Sequence, residues 1–198
     1  CPDRTARCAM LRAIVDLPAL FVDVGDRTDK VRCDYYDTMV AMLESNFYQP
    51  IAHWLHDHGM QQATIATWGR EDLLGQVQNY GDFFRMMRHF DIPGNEDSVA
   101  SGEGAFIDGK LSSSIAHLNG RPRVAVCAYW GTGWGFTQQE NIARTNVNYA
   151  LGTNLLNTHG VMYSLMGGRN EFVPPEVHFY QPYWQTWRTH YDSVTRLS

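Results

Sequence analysis

Carboxylates, flat rings, one arginine and two histidines recur where short apolar runs of this chain end. Asp26 follows Leu20-Phe21-Val22-Asp23-Val24, and Trp68, Arg70 and Glu71 follow Ala63-Thr64-Ile65-Ala66-Thr67. Asn95, Glu96 and Asp97 come after Phe90-Asp91-Ile92. Cys127, Tyr129, Trp130 and Trp134 end or follow Arg123-Val124-Ala125-Val126-Cys127-Ala128. His159 and Tyr163 follow Asn154-Leu155-Leu156-Asn157, and the loop beyond carries Glu171, Glu176 and His178. Such a set suits cleavage of a glycosidic bond. One carboxylic acid protonates the leaving oxygen while a second carboxylate serves as base or nucleophile. Aromatic faces hold the sugar ring, and Arg, Asn or His bond its hydroxyls. The competing reading is purely structural, because acidic residues after strands commonly cap the helices that follow.

The elements that must position these residues are legible as an alternation. The five apolar runs just named read as strands, the third cut off by Pro93-Gly94. Between them lie helical patterns. The first spans 34–58, with Met39, Leu43, Phe47, Ile51 and Leu55 at four-residue intervals, Pro50 bending it and Gly59 stopping it. Further helices are expected over 72–89, over Ser112 to Leu118 ahead of Gly120, over Thr137 to Leu151, and in the tail from Tyr183. Strands alternating with helices build parallel βα units. About five units fit here, whereas a closed eight-unit barrel takes roughly 250 residues. Two architectures compete: a small open α/β sheet, or the C-terminal part of a barrel. In both, ligands meet the carboxyl ends of the strands, which selects the residues above.

Composition narrows the function classes. With 198 residues, 44% of them hydrophobic, the chain suits a single domain over 1–198 with a real core. Its formal net charge of -5 and only 16 scattered Lys and Arg argue against a nucleic-acid partner, which needs clustered cations. No run approaches the roughly 20 apolar residues of a membrane-spanning helix, so no membrane partner is expected. The 6 Trp, 10 Tyr and 9 Phe fill the core for the most part, leaving a minority in Gly-rich loops for binding. Cys1, Cys8, Cys33 and Cys127 match neither a disulfide-dense scaffold nor a paired CxxC zinc site, and a Cys1–Cys8 bridge stays open. A start at Cys1 without a signal peptide is expected of a mature product or a fragment.

Other motifs carry less. His53, His56 and His58 near a helix end could ligate zinc, but histidine is favoured there by the helix dipole. Gly131, Gly133 and Gly135 follow a strand without the GxGxxG spacing of a dinucleotide site. Cys127 with His159 suggests a thiol nucleophile, although a strand cysteine is more often an inert buried residue. Ser112-Ser113-Ser114 lacks a nucleophile elbow.

Taken together, a series of short motifs resembles the bacterial glycoside hydrolases related to the family 106 α-L-rhamnosidases. They are Asp34-Tyr35-Tyr36-Asp37-Thr38-Met39, His56-Asp57-His58-Gly59-Met60, Tyr80-Gly81-Asp82-Phe83-Phe84-Arg85 and Pro93-Gly94-Asn95-Glu96-Asp97. Ser113-Ser114-Ile115-Ala116-His117-Leu118, Arg121-Pro122-Arg123-Val124, Gly133-Trp134-Gly135 and Asn154-Leu155-Leu156-Asn157-Thr158-His159-Gly160 continue the series, which Pro174-Pro175 and Arg196-Leu197-Ser198 complete. The resemblance implies an α/β fold of the (β/α)8 TIM-barrel type, of which this chain supplies the C-terminal part, the remaining segments lying elsewhere in a larger chain. It implies an inverting glycoside hydrolase acting on an oligo- or polysaccharide carbohydrate substrate, with rhamnose as one terminal sugar, in a secreted or periplasmic setting.

The resemblance also assigns roles. The strand after Arg121-Pro122-Arg123-Val124 ends in a catalytic glutamate in similar proteins, and Cys127 stands at that position here. Asp26 is then the best facing acid, with Asp23 structural, and Glu71 joins Asp26 and Cys127 as the catalytic set. Trp68, Arg70, Glu96, Asp97, Trp130, Trp134, His159, Tyr163, Glu171 and His178 are the expected sugar contacts. That family's use of calcium at the sugar implies Ca2+ as a cofactor near Glu96 and Asp97, although no dedicated calcium loop is present. A non-catalytic carbohydrate-binding homologue is the alternative, because a thiol makes a poor carboxylate at neutral pH.

Overall fold

The structure is a computed structural model that describes residues 14–65, 77, 79–98, 105–130, 132–161, 164–167 and 177–198, with side chains at 97–98, 105–108 and 130 left undescribed. Helix α1 (Thr28–Leu43) runs through a π-helical turn (Glu44–Tyr48) into α2 (Gln49–Asp57). The expected helix over 34–58 is therefore one rod with a local widening. Pro50 explains the defect: it has no N–H to donate and its ring crowds the carbonyl four residues earlier. The amide of Gln49 turns back to the Glu44 carbonyl, and Asn46 Nδ2 donates to the Met42 carbonyl at 2.9 Å. Gly59, at φ +70°, ends the rod as expected, with Met60 N–H donating to Leu55 O and Gly59 N–H to His56 O.

Three parallel strands form the sheet: β1 (Gly94–Ser98), β2 (Ala125–Trp130) and β3 (Leu155–Thr158), adjacent in that order. Their register aligns Gly94, Ala125 and Leu155, then Asn95, Val126 and Leu156, then Glu96, Cys127 and Asn157. Single parallel bridges extend the row at both edges, Ala63 to Ile92 beside β1 and Val161 to Val177 beyond β3. Among the described residues sheet position thus rises with sequence position, with no reversal of strand order.

The connections are helical. Helix α3 (Phe83–Met87) is capped by Asp82, whose side chain accepts the Arg85 N–H at 2.9 Å. Helix α4 (Ala105–Leu118) joins β1 to β2 and packs on β1. Helix α5 (Gln138–Ala150) joins β2 to β3 behind a full capping box between Thr137 and Glu140. A closing helix, α6 (Trp187–Leu197), packs on α5. Val126, Ala128, Tyr129, Phe136, Val177 and Trp187 make one buried cluster between sheet and helices; Phe83, Met87, Phe90 and Ile115 make a second.

Two expectations are corrected. Residues 20–24 form no strand: Leu17–Leu20 is a 3-10 turn, and Phe21, Val22 and Val24 are exposed. An apolar run becomes a strand only when a neighbour supplies hydrogen bonds, and no described segment pairs with this one. The strand expected at 90–92 with a stop at Pro93-Gly94 instead becomes regular at Gly94. Proline is tolerated at a strand's start. Gly94 is needed because a Cβ there would sit 2.6 Å from the Thr64 carbonyl oxygen and 2.8 Å from the Ala125 Cβ. Glu96 and Asp97 consequently lie within a strand and not in a loop after one.

Candidate functional site

Val126, Ala128 and Leu156 face the helices. Alternation along a strand then sends Glu96, Cys127 and Asn157, which are register partners, to the opposite face of the sheet. Adjacent strands lie about 4.8 Å apart, so these three side chains form a contiguous row across β1, β2 and β3, each at the third residue of its strand. Cys127 is buried, Glu96 is half-buried, and Asn157 and Leu155 are exposed. A carboxylate, a thiol and a carboxamide in line offer one group able to give or take a proton and one that can both donate and accept toward a polar ligand.

Beside the row, His159 leaves β3 with its N–H still donating to the Ala128 carbonyl at 3.0 Å. His178 follows Val177, the residue that extends the sheet past β3. It is fully buried, and burial lowers its imidazole below the ordinary value of 6.5, which keeps it neutral. Its Nδ1 accepts the Tyr180 N–H at 3.2 Å, so the proton resides on Nε2, a buried donor without an acceptor. Trp134, in the loop after β2, is 38% exposed and meets the His178 ring edge-on at 6.4 Å between centroids.

The sequence-derived set therefore divides. Trp134, His159 and His178 follow the carboxyl ends of the strands or bridge they adjoin, whereas Glu96 and Cys127 lie within β1 and β2. Asp26 is exposed in the turn before α1, outside the sheet, and no strand precedes it among the described residues. Trp68, Arg70, Glu71, Tyr163 and Glu171 lie outside the described residues, as do the side chains of Asp97 and Trp130. Tyr129 is corrected from a strand-end aromatic to a core residue: its φ of 73° turns the ring to the helix side, where it is fully buried. Asn157 was legible only as a strand residue. Counting alternation from Val126 and Leu156 would have placed it on the ligand face.

Two polar clusters are structural. Asp91 binds His56 Nε2 at 2.7 Å, the Gln62 N–H at 2.9 Å and Arg121 Nη1 at 3.1 Å, tying α2, the sheet's amino edge and the α4–β2 connection together. Although burial pushes its carboxyl up, the bonds to His56 and Gln62 prevail and hold it below the ordinary carboxylate value. That pairing accounts for His56 without a metal; His58 Nδ1 lies 2.7 Å from the Trp54 carbonyl oxygen. Asp23 braces the turn ahead of α1, accepting from Gly25 N–H and Thr28 Oγ1 at 2.8 Å each. Among the described residues no group of three or more His, Cys, Asp or Glu could hold a metal ion. No helix among them is long and apolar enough to cross a membrane.

Comparison with known proteins gives one likeness of fold. The rhamnosidase from Novosphingobium sp. PP1Y superposes with a TM-score of 0.58 at 20% identity, over 83% of this chain and 16% of that one. The chain thus spans about a sixth of that protein's length. No family model matches the sequence. No curated protein matches it either.

Proposed function

We propose that this chain is an arc of a (β/α)-barrel catalytic domain of a glycoside hydrolase, with the Glu96–Cys127–Asn157 row lining its saccharide site. The row itself is the observation that carries the reading. Support comes also from strands that increase in sequence order without a switch, as in a barrel wall, and from the likeness to a rhamnosidase fold. Glu96 is the acid of the row; Glu71 supplies its counterpart across the sugar, with an α-L-rhamnoside as substrate. Trp68, Arg70, Asp97, Trp130, Tyr163 and Glu171 complete the contacts. Calcium remains a proposed cofactor, and no step is routed through it. Further segments of a larger chain would close the barrel, in a secreted or periplasmic protein.

A second reading has its own observation. Cys127 is buried at the centre of the row, where a glutamate is expected of a catalytic member. A thiol there favours a carbohydrate-binding homologue without turnover. Assaying an aryl α-L-rhamnoside with the wild type and with Cys127→Glu separates the two. Turnover by the wild type supports catalysis with Glu96 as its acid. Turnover only in Cys127→Glu supports the binding homologue. Absence of turnover and of sugar binding in both folded proteins contradicts both readings.

A further inference from the structure

We propose that Tyr129 is a positioning residue for the saccharide site: the bulge it forms in β2 returns Trp130 to the face of the sheet that carries Glu96 and Cys127. This rests on the saccharide reading above and gives that site its stacking residue. Between β1 and β2 the register steps from Glu96–Cys127 to Ser98–Trp130, two residues along one strand against three along the other. The extra residue in β2 makes a β-bulge. Pairing with β3 fixes its place. Ala128 still pairs with Thr158, and its carbonyl still accepts the His159 N–H at 3.0 Å. Tyr129 comes next, and its φ of 73° lies in the left-handed region.

Unbroken alternation would put residue 129 on the ligand face and residue 130 on the helix face. Instead Ala128 and Tyr129, consecutive in sequence, both belong to the buried cluster under the helices. One step later Trp130 is the register partner of Ser98, which lies two residues beyond Glu96 and so shares its face. A left-handed backbone is unfavourable for a bulky residue and persists only where its surroundings hold it. Here the holding groups are on the helix side. The Tyr129 ring is fully buried and meets Trp187 edge-on at 6.1 Å between centroids. Its hydroxyl lies 2.6 Å from Thr145 Oγ1 and 3.0 Å from His190 Nε2. Thr132 closes the turn, donating its N–H and its hydroxyl to the Tyr129 carbonyl at 3.3 and 2.9 Å. Bulges beside ligand sites re-aim side chains in this way, and an indole offers a broad apolar face to a pyranose ring.

Calorimetric titration of the folded proteins with methyl α-L-rhamnopyranoside tests this. Trp130→Ala should weaken binding at least about ten-fold. Tyr129→Ala and Tyr129→Gly empty the same space in the core, but only glycine adopts the left-handed backbone without steric cost. The glycine variant should therefore bind at least about five-fold more tightly than the alanine variant. A role in packing alone predicts no such order, so equal affinities overturn positioning by Tyr129. Should both variants unfold, Trp130→Ala decides: lost affinity supports the re-aimed residue and retained affinity overturns it. Wild-type binding with unchanged affinity in Trp130→Ala overturns the inference and leaves the row standing. Failure of the wild type to bind overturns the saccharide reading and the inference with it.

Discussion

Tyr129 Oη lies 3.0 Å from His190 Nε2 and 2.6 Å from Thr145 Oγ1, joining β2 to α6 and α5 inside the core. Because Thr145 Oγ1 donates to the Asn141 carbonyl at 2.8 Å, the proton order is fixed. His190 Nε2–H donates to Tyr129, whose hydroxyl donates to Thr145. The relay clamps the strand that carries Cys127 against two helices, and Tyr129→Phe should remove both bonds while preserving ring volume. Urea unfolding should show a loss of about 1–3 kcal/mol, since it leaves a buried imidazole donor unpaired. A loss within error would mean that water replaces the hydroxyl.

The same histidine sets a pH dependence. Burial lowers both His178 and His190 below 6.5, so below that value the unfolded chain binds more protons than the fold. Stability should rise as pH increases up to about 6.5 and fall on acidification. Urea midpoints at pH 5.5 should lie below those at pH 7.5, and His190→Gln should narrow the difference. An unchanged difference would assign the effect elsewhere. The carboxylates Glu44 and Asp91, held low by their partners, contribute stability that is lost only further down, below their ordinary values of 4.5 and 3.8.

Glu44 anchors the π-helical turn to the helix across from it. Its buried carboxylate receives Arg85 Nε and Arg88 Nη2 at 2.6 Å each and lies 2.9 Å from His89 Nε2. Glu44→Ala should cost about 3 kcal/mol in thermal or chemical unfolding, the lower end for breaking a buried pair, because both arginines stay partly solvated. Arg88→Ala, removing the half-exposed partner, should cost under about 1 kcal/mol. Equal losses would contradict this ranking.

Gly94 is squeezed between the Thr64 carbonyl and Ala125. Gly94→Ala should destabilise by about 1–3 kcal/mol through forced separation of neighbouring strands. Gly120→Ala lacks any neighbour within 4 Å of its Cβ and should suffer only from its φ of +63°, about 1 kcal/mol. Denaturation curves of the two variants check the order.

Local signals in the sequence were strong where one residue settles the geometry. Thr137 and the stops at Gly59 and Gly120 placed helix ends, and the runs at 123–128 and 154–157 placed β2 and β3 to within two residues. What failed depended on partners distant in sequence. The run 20–24 has the apolar residues of a buried strand but nothing to pair with. Pro93-Gly94 reads as a breaker until the close approach of Thr64 and Ala125 makes glycine the only fit. At the site, strand-end placement found Glu96 and Cys127, but their alignment with Asn157 comes from register. His178 belongs at the sheet's edge only because Val177 pairs with Val161, which no local pattern announces.

The most direct measurement is sugar affinity across the Glu96–Cys127–Asn157 row. Methyl α-L-rhamnopyranoside should bind the wild-type chain, and Glu96→Gln and Asn157→Ala should each weaken it at least about ten-fold with unfolding midpoints unchanged. Wild-type affinity retained in both folded variants would contradict the assignment of this row as the site.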